Sequence, residues 1–164
     1  MIRILRSALL VVAVAAFAPA AASASSPSIS GTWDDCNFAP VVGTAGPNVI
    51  VTIGITENFQ GGMSGSYVGT ERDVVFPTGG ATFHGSGLFT GTIDGRTGTA
   101  TYRYEGIAPV GAAIRVDWVL IGRSGGIASV QGQGTFTGGF DGVSDVCDAG
   151  LYSGTYEGQI RMAP

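Results

Sequence analysis

Five aspartates flank the only two cysteines of this 164-residue chain. Asp34 and Asp35 precede Cys36, and Asp141, Asp145 and Asp148 surround Cys147. A bond between the cysteines would bring up to five carboxylates to one end of the molecule. Hard oxygen ligands of that kind suit Ca2+, with Asp34, Asp35, Asp145 and Asp148 as the candidate ligands. The spacing is not that of an EF-hand loop, and the ordinary reading of such residues is a solvated acidic loop. Gly122-Arg123-Ser124-Gly125-Gly126 has the G-x-S-x-G pattern of a nucleophile elbow. That motif needs a helix after the serine and a histidine later in the chain. Here a strand pattern follows, and the single histidine, His84, lies upstream. The segment therefore reads as a strand-to-strand turn. One histidine cannot build a multi-histidine metal site, and Thr82 and Ser86 place His84 on a polar, outward face. Arg103, Glu105, Arg115 and Asp117 read as cross-strand ion pairs. All eight basic residues are arginine, so Schiff-base, P-loop and Ser-Lys chemistry are excluded.

Such residues need a scaffold, and composition limits which. Apolar residues make up 45% and charged residues 12%, which suits a folded core rather than a disordered chain. Glycine (28) and proline (7) show no Gly-X-Y period, so a collagen-like rod is excluded. The formal charge of −4 argues against a nucleic-acid binder held by phosphate contacts. Residues 1–24 combine Arg3 and Arg6, an apolar run over Ala8–Ala18, and small residues at Ala20–Ala24. That is the pattern of a secretory signal peptide cleaved after Ala22 or Ala24. The apolar run is shorter than the ~20 residues a spanning helix requires, so stable membrane insertion is not expected. The expected product is a secreted single domain over residues 25–164. In an oxidising compartment Cys36 and Cys147 are expected to pair; two free thiols or a two-thiolate metal site are the alternatives.

From residue 25 onward the recurring signal is alternation between turn residues, not helical spacing. Strand patterns run over 29–36, 49–55, 63–76, 81–94, 98–107, 112–123, 126–136 and 152–162, with Asp94-Gly95 as a hairpin dipeptide. Eight strands with short connections predict an all-β, antiparallel up-and-down barrel, with a two-sheet sandwich as the alternative. The alternation turns Phe83, Phe89, Tyr102, Tyr104, Trp118, Tyr152 and Tyr156 inward, where they could line an apolar lumen. The inward glycines are what would keep such a lumen open.

The stretch Phe83-His84-Gly85-Ser86-Gly87-Leu88-Phe89, continuing through Thr92-Ile93-Asp94-Gly95-Arg96-Thr97-Gly98-Thr99, resembles the central strand pair of the allene oxide cyclase-like barrels. Residues 122–136 and the closing Tyr156-Glu157-Gly158-Gln159-Ile160 are similar to that family's glycine-rich stretch and last strand. The resemblance implies an eight-stranded barrel and, as in the plant cyclases and related dirigent proteins, trimers. The plant cyclases carry a glutamate-proline-asparagine arrangement. Glu57-Asn58 is the nearest equivalent here and lacks the proline, so cyclase activity is not carried over.

The functional expectation is a secreted, non-catalytic binding or structural barrel that holds a small apolar ligand, with no cofactor other than the calcium considered above. One alternative is a cyclase-, isomerase- or dirigent-type enzyme using a carboxylate or tyrosine at the barrel mouth, with Glu57, Glu105 and Tyr104 as candidates. Another is a cell-surface or envelope-associated interaction protein.

Overall fold

Eight strands make up almost all of the structure, a computed structural model that describes residues 26–162. They are β1 (Ser28–Ala45), β2 (Asn48–Gly61), β3 (Met63–Val75), β4 (Ala81–Ile93), β5 (Arg96–Ala108), β6 (Ile114–Gly125), β7 (Val130–Gly142) and β8 (Gly150–Met162). Each strand pairs antiparallel with its sequence neighbour, and β1 also pairs with β8. The sheet is therefore a closed up-and-down barrel without edges, and the sandwich alternative is excluded. Among the described residues no helix is long and apolar enough to cross a membrane. The expected signal segment lies outside the described residues.

The turns follow from their residues. Asp94 (φ 49°) and Gly95 (φ 75°) both take the left-handed conformation that a two-residue hairpin loop demands. The strand boundaries differ most from the sequence expectation at β1, at β7 and at β2, which continues past Ile55 to Gly61. β1 runs nine residues beyond Cys36, carried past a bulge between Phe38 and Val41 where Ala39 has φ 51°. β7 begins at Val130 rather than Gly126; residues 126–129 form a turn that drops Ile127 fully buried into the lower end of the barrel.

The up-and-down topology places the β1–β2, β3–β4, β5–β6 and β7–β8 connections at one end, here the upper end. The lower half of the lumen is a solid plug. Met63, Tyr67, Phe89, Ile93, Ala100 and Tyr102 have no exposed surface, and Trp118 and Leu120 are nearly as buried. Tyr102 meets Phe59 and Tyr67 edge-on at ring separations of 5.6 and 5.3 Å. Tyr156 closes this end: its hydroxyl accepts the Met63 N–H at 2.7 Å and donates to the Met63 carbonyl at 2.9 Å.

The inward glycines do not leave space, contrary to the sequence expectation. Many are roofed by a large ring: Gly31 by Tyr156, Gly106 by Phe83, Gly138 by Trp33, and Gly132, Gly134 and Gly158 by Trp118. A Cβ at Gly158 would run into the Trp118 ring and lie 2.6 Å from the Gln133 carbonyl oxygen. Trp118 thus occupies volume that side chains on β7 and β8 would otherwise fill, and the narrow barrel packs its aromatics flat against glycine backbone.

The cysteines are joined, Cys36 to Cys147, across a sequence separation of 111. The disulfide fastens the β7–β8 connection to the outer side of β1. Nearby, Asp148 Oδ1 accepts the Ala39 N–H at 3.0 Å.

Candidate functional site

The upper half of the lumen is built differently. Alternation along β1 turns Trp33, Asp35 and Asn37 inward, and all three are buried. On β2 the same parity turns Ile53, Ile55, Glu57 and Phe59 inward. On β3 it buries Glu71, with Asp73 half-buried two residues further on. Register then assembles them. Asp35 stands opposite Glu57 on one side and Tyr152 on the other, and Glu57 stands opposite Tyr67.

Glu71 stands opposite Gly85, and Gly85 opposite Tyr104. A Cβ at Gly85 would run into the Tyr104 ring. Its absence lets the Tyr104 phenol cross β4, and the hydroxyl donates to Glu71 Oε2 at 2.7 Å. Here glycine is required by the contact itself.

These groups line a cavity of about 320 Å³, near the lower bound of ~300–1,000 Å³ usual for ligand pockets. Its floor is Asp35, Asn37, Glu57, Glu71 and Tyr104. Its walls include Val51, Ile53, Val75, Phe83, Ile114 and Phe136. Larger grooves lie on the outer wall, lined by alternate outward residues such as His84, Glu105 and Asp117, but they contain no buried polar group.

Burial dominates the electrostatics. It lifts Asp35 from 3.8 to about 8, and Asp34 and Asp141 add like-charge repulsion. The Tyr152 N–H, donated to Asp35 Oδ1 at 3.1 Å, only partly offsets this. Burial also lifts Glu57 and Glu71 well above the carboxylate range; Asp35 and Glu71 act further on Glu57, and Asp73 on Glu71. Asp73 is raised for the same first reason. Near neutral pH the floor is therefore a set of neutral acids.

Two floor atoms lack partners. Glu57 is 1% exposed and its Oε2 has no hydrogen bond; Asn37 is 4% exposed and its Oδ1 has none. A buried polar atom without a partner costs about 1–3 kcal/mol, so its position in a cavity floor points to an occupant. Asp73 Oδ1, further up the same cavity, is unpaired as well; Trp33 Nε1, Tyr67 OH and Tyr102 OH are also unpaired, but none of these three residues lines the cavity.

The residues singled out from sequence divide between these regions. Phe83, Tyr104 and Tyr152 line the cavity. Phe89, Tyr102, Trp118 and Tyr156, expected to line an apolar lumen, are instead in the plug. The proposed calcium ligands are not gathered. Asp35 points inward, while Asp34 points outward and accepts the Asn58 amide at 2.8 Å. Asp145 is exposed, and Asp148 is engaged with Ala39. Neighbouring positions on a strand face opposite sides, so Asp34 and Asp35 cannot share an ion. No cluster of three or more metal-ligating side chains occurs among the described residues.

Of the carboxylates considered for a mouth, Glu57 is in the floor and Glu105 is on the outer surface. The expected cross-strand ion pairs do not fall in register: Glu105 is opposite Asp117, and Arg103 is opposite Val119. Ser124 lies at the end of β6, where its hydroxyl is hydrogen-bonded to Thr99 at 2.7 Å, away from any base. Sequence reasoning missed Asn37, Glu71 and Asp73. Their signal was strand parity, counted from Trp33 on β1 and Tyr67 on β3.

The barrel has a solved counterpart. A protein of unknown function from the DUF3224 family of Shewanella oneidensis MR-1 superposes with a TM-score of 0.63. The match covers 85% of this chain and 99% of that one at 16% identity. At that identity the likeness concerns the fold alone. No protein-family model matches the chain, and no curated protein is detectably similar to it.

Proposed function

We propose that this protein is an exported binding barrel that holds a small molecule in the upper lumen, its polar end on the acid floor and its apolar part against the walls. The observation that carries this reading is the pair of unpartnered, buried oxygens, Glu57 Oε2 and Asn37 Oδ1, at the bottom of a 320 Å³ cavity. A barrel that needed only to be stable would fill this volume with apolar side chains, as its own lower half does. The disulfide supports export to an oxidising compartment.

The test compares the protein's mass under native and denaturing conditions after purification from secreting cells. The reading expects an excess mass in the folded form that disappears in Ala108→Trp, which fills the cavity from β5. Equal masses, together with no small molecule shifting the Ile53 and Ile114 methyl resonances in a library screen, would overturn it.

One observation favours a second reading, a cyclase- or isomerase-type enzyme. The Tyr104 hydroxyl, Glu71 and Asp73 form a contiguous acid–base group at the cavity wall. A captured molecule that is chemically changed on standing with the wild-type protein, but not with Glu71→Gln, would decide for it.

A further inference from the structure

The geometry points to an amphiphilic amine as the occupant: an ammonium head among Asp35, Asn37 and Glu57, with an apolar tail running up the wall toward the mouth. This inference rests on the reading that the upper lumen binds a small molecule, and it adds the chemical class.

Four carboxyl groups, Asp35, Glu57, Glu71 and Asp73, line the cavity, and no Lys, Arg or His does among the described residues. The vacant hydrogen-bonding positions in the lining are oxygens: Asn37 Oδ1, Glu57 Oε2 and Asp73 Oδ1. An amide oxygen such as Asn37 Oδ1 can only accept, so its missing partner is a donor. Of the donors beside the floor, the Tyr104 hydroxyl is used by Glu71 and the Tyr152 N–H by Asp35; the Tyr67 hydroxyl is unpartnered, one donor against three vacant oxygens. An ammonium offers three donors and no acceptor, which complements this floor. A carboxylate or phosphate ligand would bring only acceptors to Asn37 Oδ1, which itself can only accept, and would be repelled as soon as any floor acid ionised.

The tail follows from what stands above the floor. Val51, Ile53, Val75 and Ile114 line the walls. The upper connections and strand ends carry exposed apolar side chains, among them Val41 (70%), Val110 (70%) and Val146 (76%). The described upper end holds no lysine or arginine in its connections. A wholly polar polyamine would leave these walls unmatched, and a plain hydrocarbon would leave the floor unmatched.

Binding is also linked to protons. The groups facing the head are Asp35, Glu57, Glu71, Asp73 and the phenols of Tyr67, Tyr104 and Tyr152, and burial holds all of them toward their neutral forms. An ammonium must displace a proton from a carboxyl group to form its ion pair, so affinity for it rises as pH rises.

The test uses the oxidised, full-length secreted protein with three probes of one tail length: n-hexylammonium, 1-hexanol and hexanoate. Binding is followed by the methyl resonances of Ile53 and Ile114 and by calorimetry at pH 6 and pH 8. The expected result is that n-hexylammonium binds at least tenfold more tightly than either other probe, at least tenfold more tightly at pH 8 than at pH 6, and with proton release. Glu57→Gln keeps the shape and removes the charge; it should weaken n-hexylammonium at least tenfold and leave 1-hexanol within twofold. Should that variant not fold, Asp35→Asn serves in its place with the same expectation. If 1-hexanol or hexanoate binds as tightly as the amine, the amine assignment fails while the binding reading survives. If none of the probes moves the cavity methyls, both fail.

Discussion

Replacing Asp35 with asparagine should make this protein more stable, and by an amount that depends on pH in a defined way. The side chain is 8% exposed, and its proton is held in the folded state up to about pH 8, against 3.8 for an ordinary aspartate. The unfolded chain ionises above pH 3.8 while the folded chain stays neutral. Between those values the folded state binds one more proton, so stability falls as pH rises. From 3.8 to pH 7, at about 1.4 kcal/mol per unit, the loss is about 4 kcal/mol. Asparagine has the same shape, keeps an oxygen for the Tyr152 N–H, and never ionises. Asp35→Asn should therefore gain about 3–4 kcal/mol at pH 7, roughly 10 °C in Tm, and almost nothing at pH 3.5. The assay is denaturant unfolding of both proteins, disulfide intact, at half-unit steps from pH 3.5 to pH 9. A pH-independent difference, or a destabilised variant at pH 7, would refute the reasoning. A gain of this size also bears on function, because an acid that weakens the fold and is nonetheless present belongs to a site rather than to a core.

Three other perturbations test the scaffold. Tyr104→Phe removes the hydroxyl that donates to Glu71 at 2.7 Å in a buried position and should cost about 1–3 kcal/mol, read by denaturation below pH 6; no loss would contradict the bond. Gly158→Ala drives a methyl into the Trp118 ring and should cost at least about 2–3 kcal/mol with a change in tryptophan fluorescence; a neutral result would mean the ring packs elsewhere. The double variant Cys36→Ser, Cys147→Ser opens a link spanning 111 residues and should lose up to about 4–5 kcal/mol, measured as a lower denaturation midpoint; an unchanged midpoint would show that the link does not constrain the unfolded chain.

The barrel was legible because its signals are local. Alternation, Asp94-Gly95 and the glycine punctuation fixed eight strands and antiparallel order. The inward set from Phe83 to Tyr156 followed from the same parity. The cavity was not legible, for a physical reason. Sequence patterning assigns acids to the solvated face, so Asp35 read as part of an acidic loop beside Cys36. Parity with Trp33, buried two residues earlier, sends it inward. β2 read as ending at Ile55, which left Glu57 outside any strand; it continues to Gly61 and carries Glu57 into the lumen. Glycine was read as empty space, yet its role is decided by neighbouring strands. The reach of Tyr104 across Gly85 depends on register between three strands, which no single segment encodes.

The central claim is that the upper lumen is a desolvated, acid-floored binding site. The most direct measurement is a carbon-13 titration of the Asp and Glu carboxyl groups, with and without n-hexylammonium. The account predicts an Asp35 midpoint near 8, Glu57 and Glu71 well above 4.5, and a downward move of these midpoints when the amine is added. Midpoints near 3.8 for Asp35 and 4.5 for both glutamates, unmoved by the amine, would contradict it.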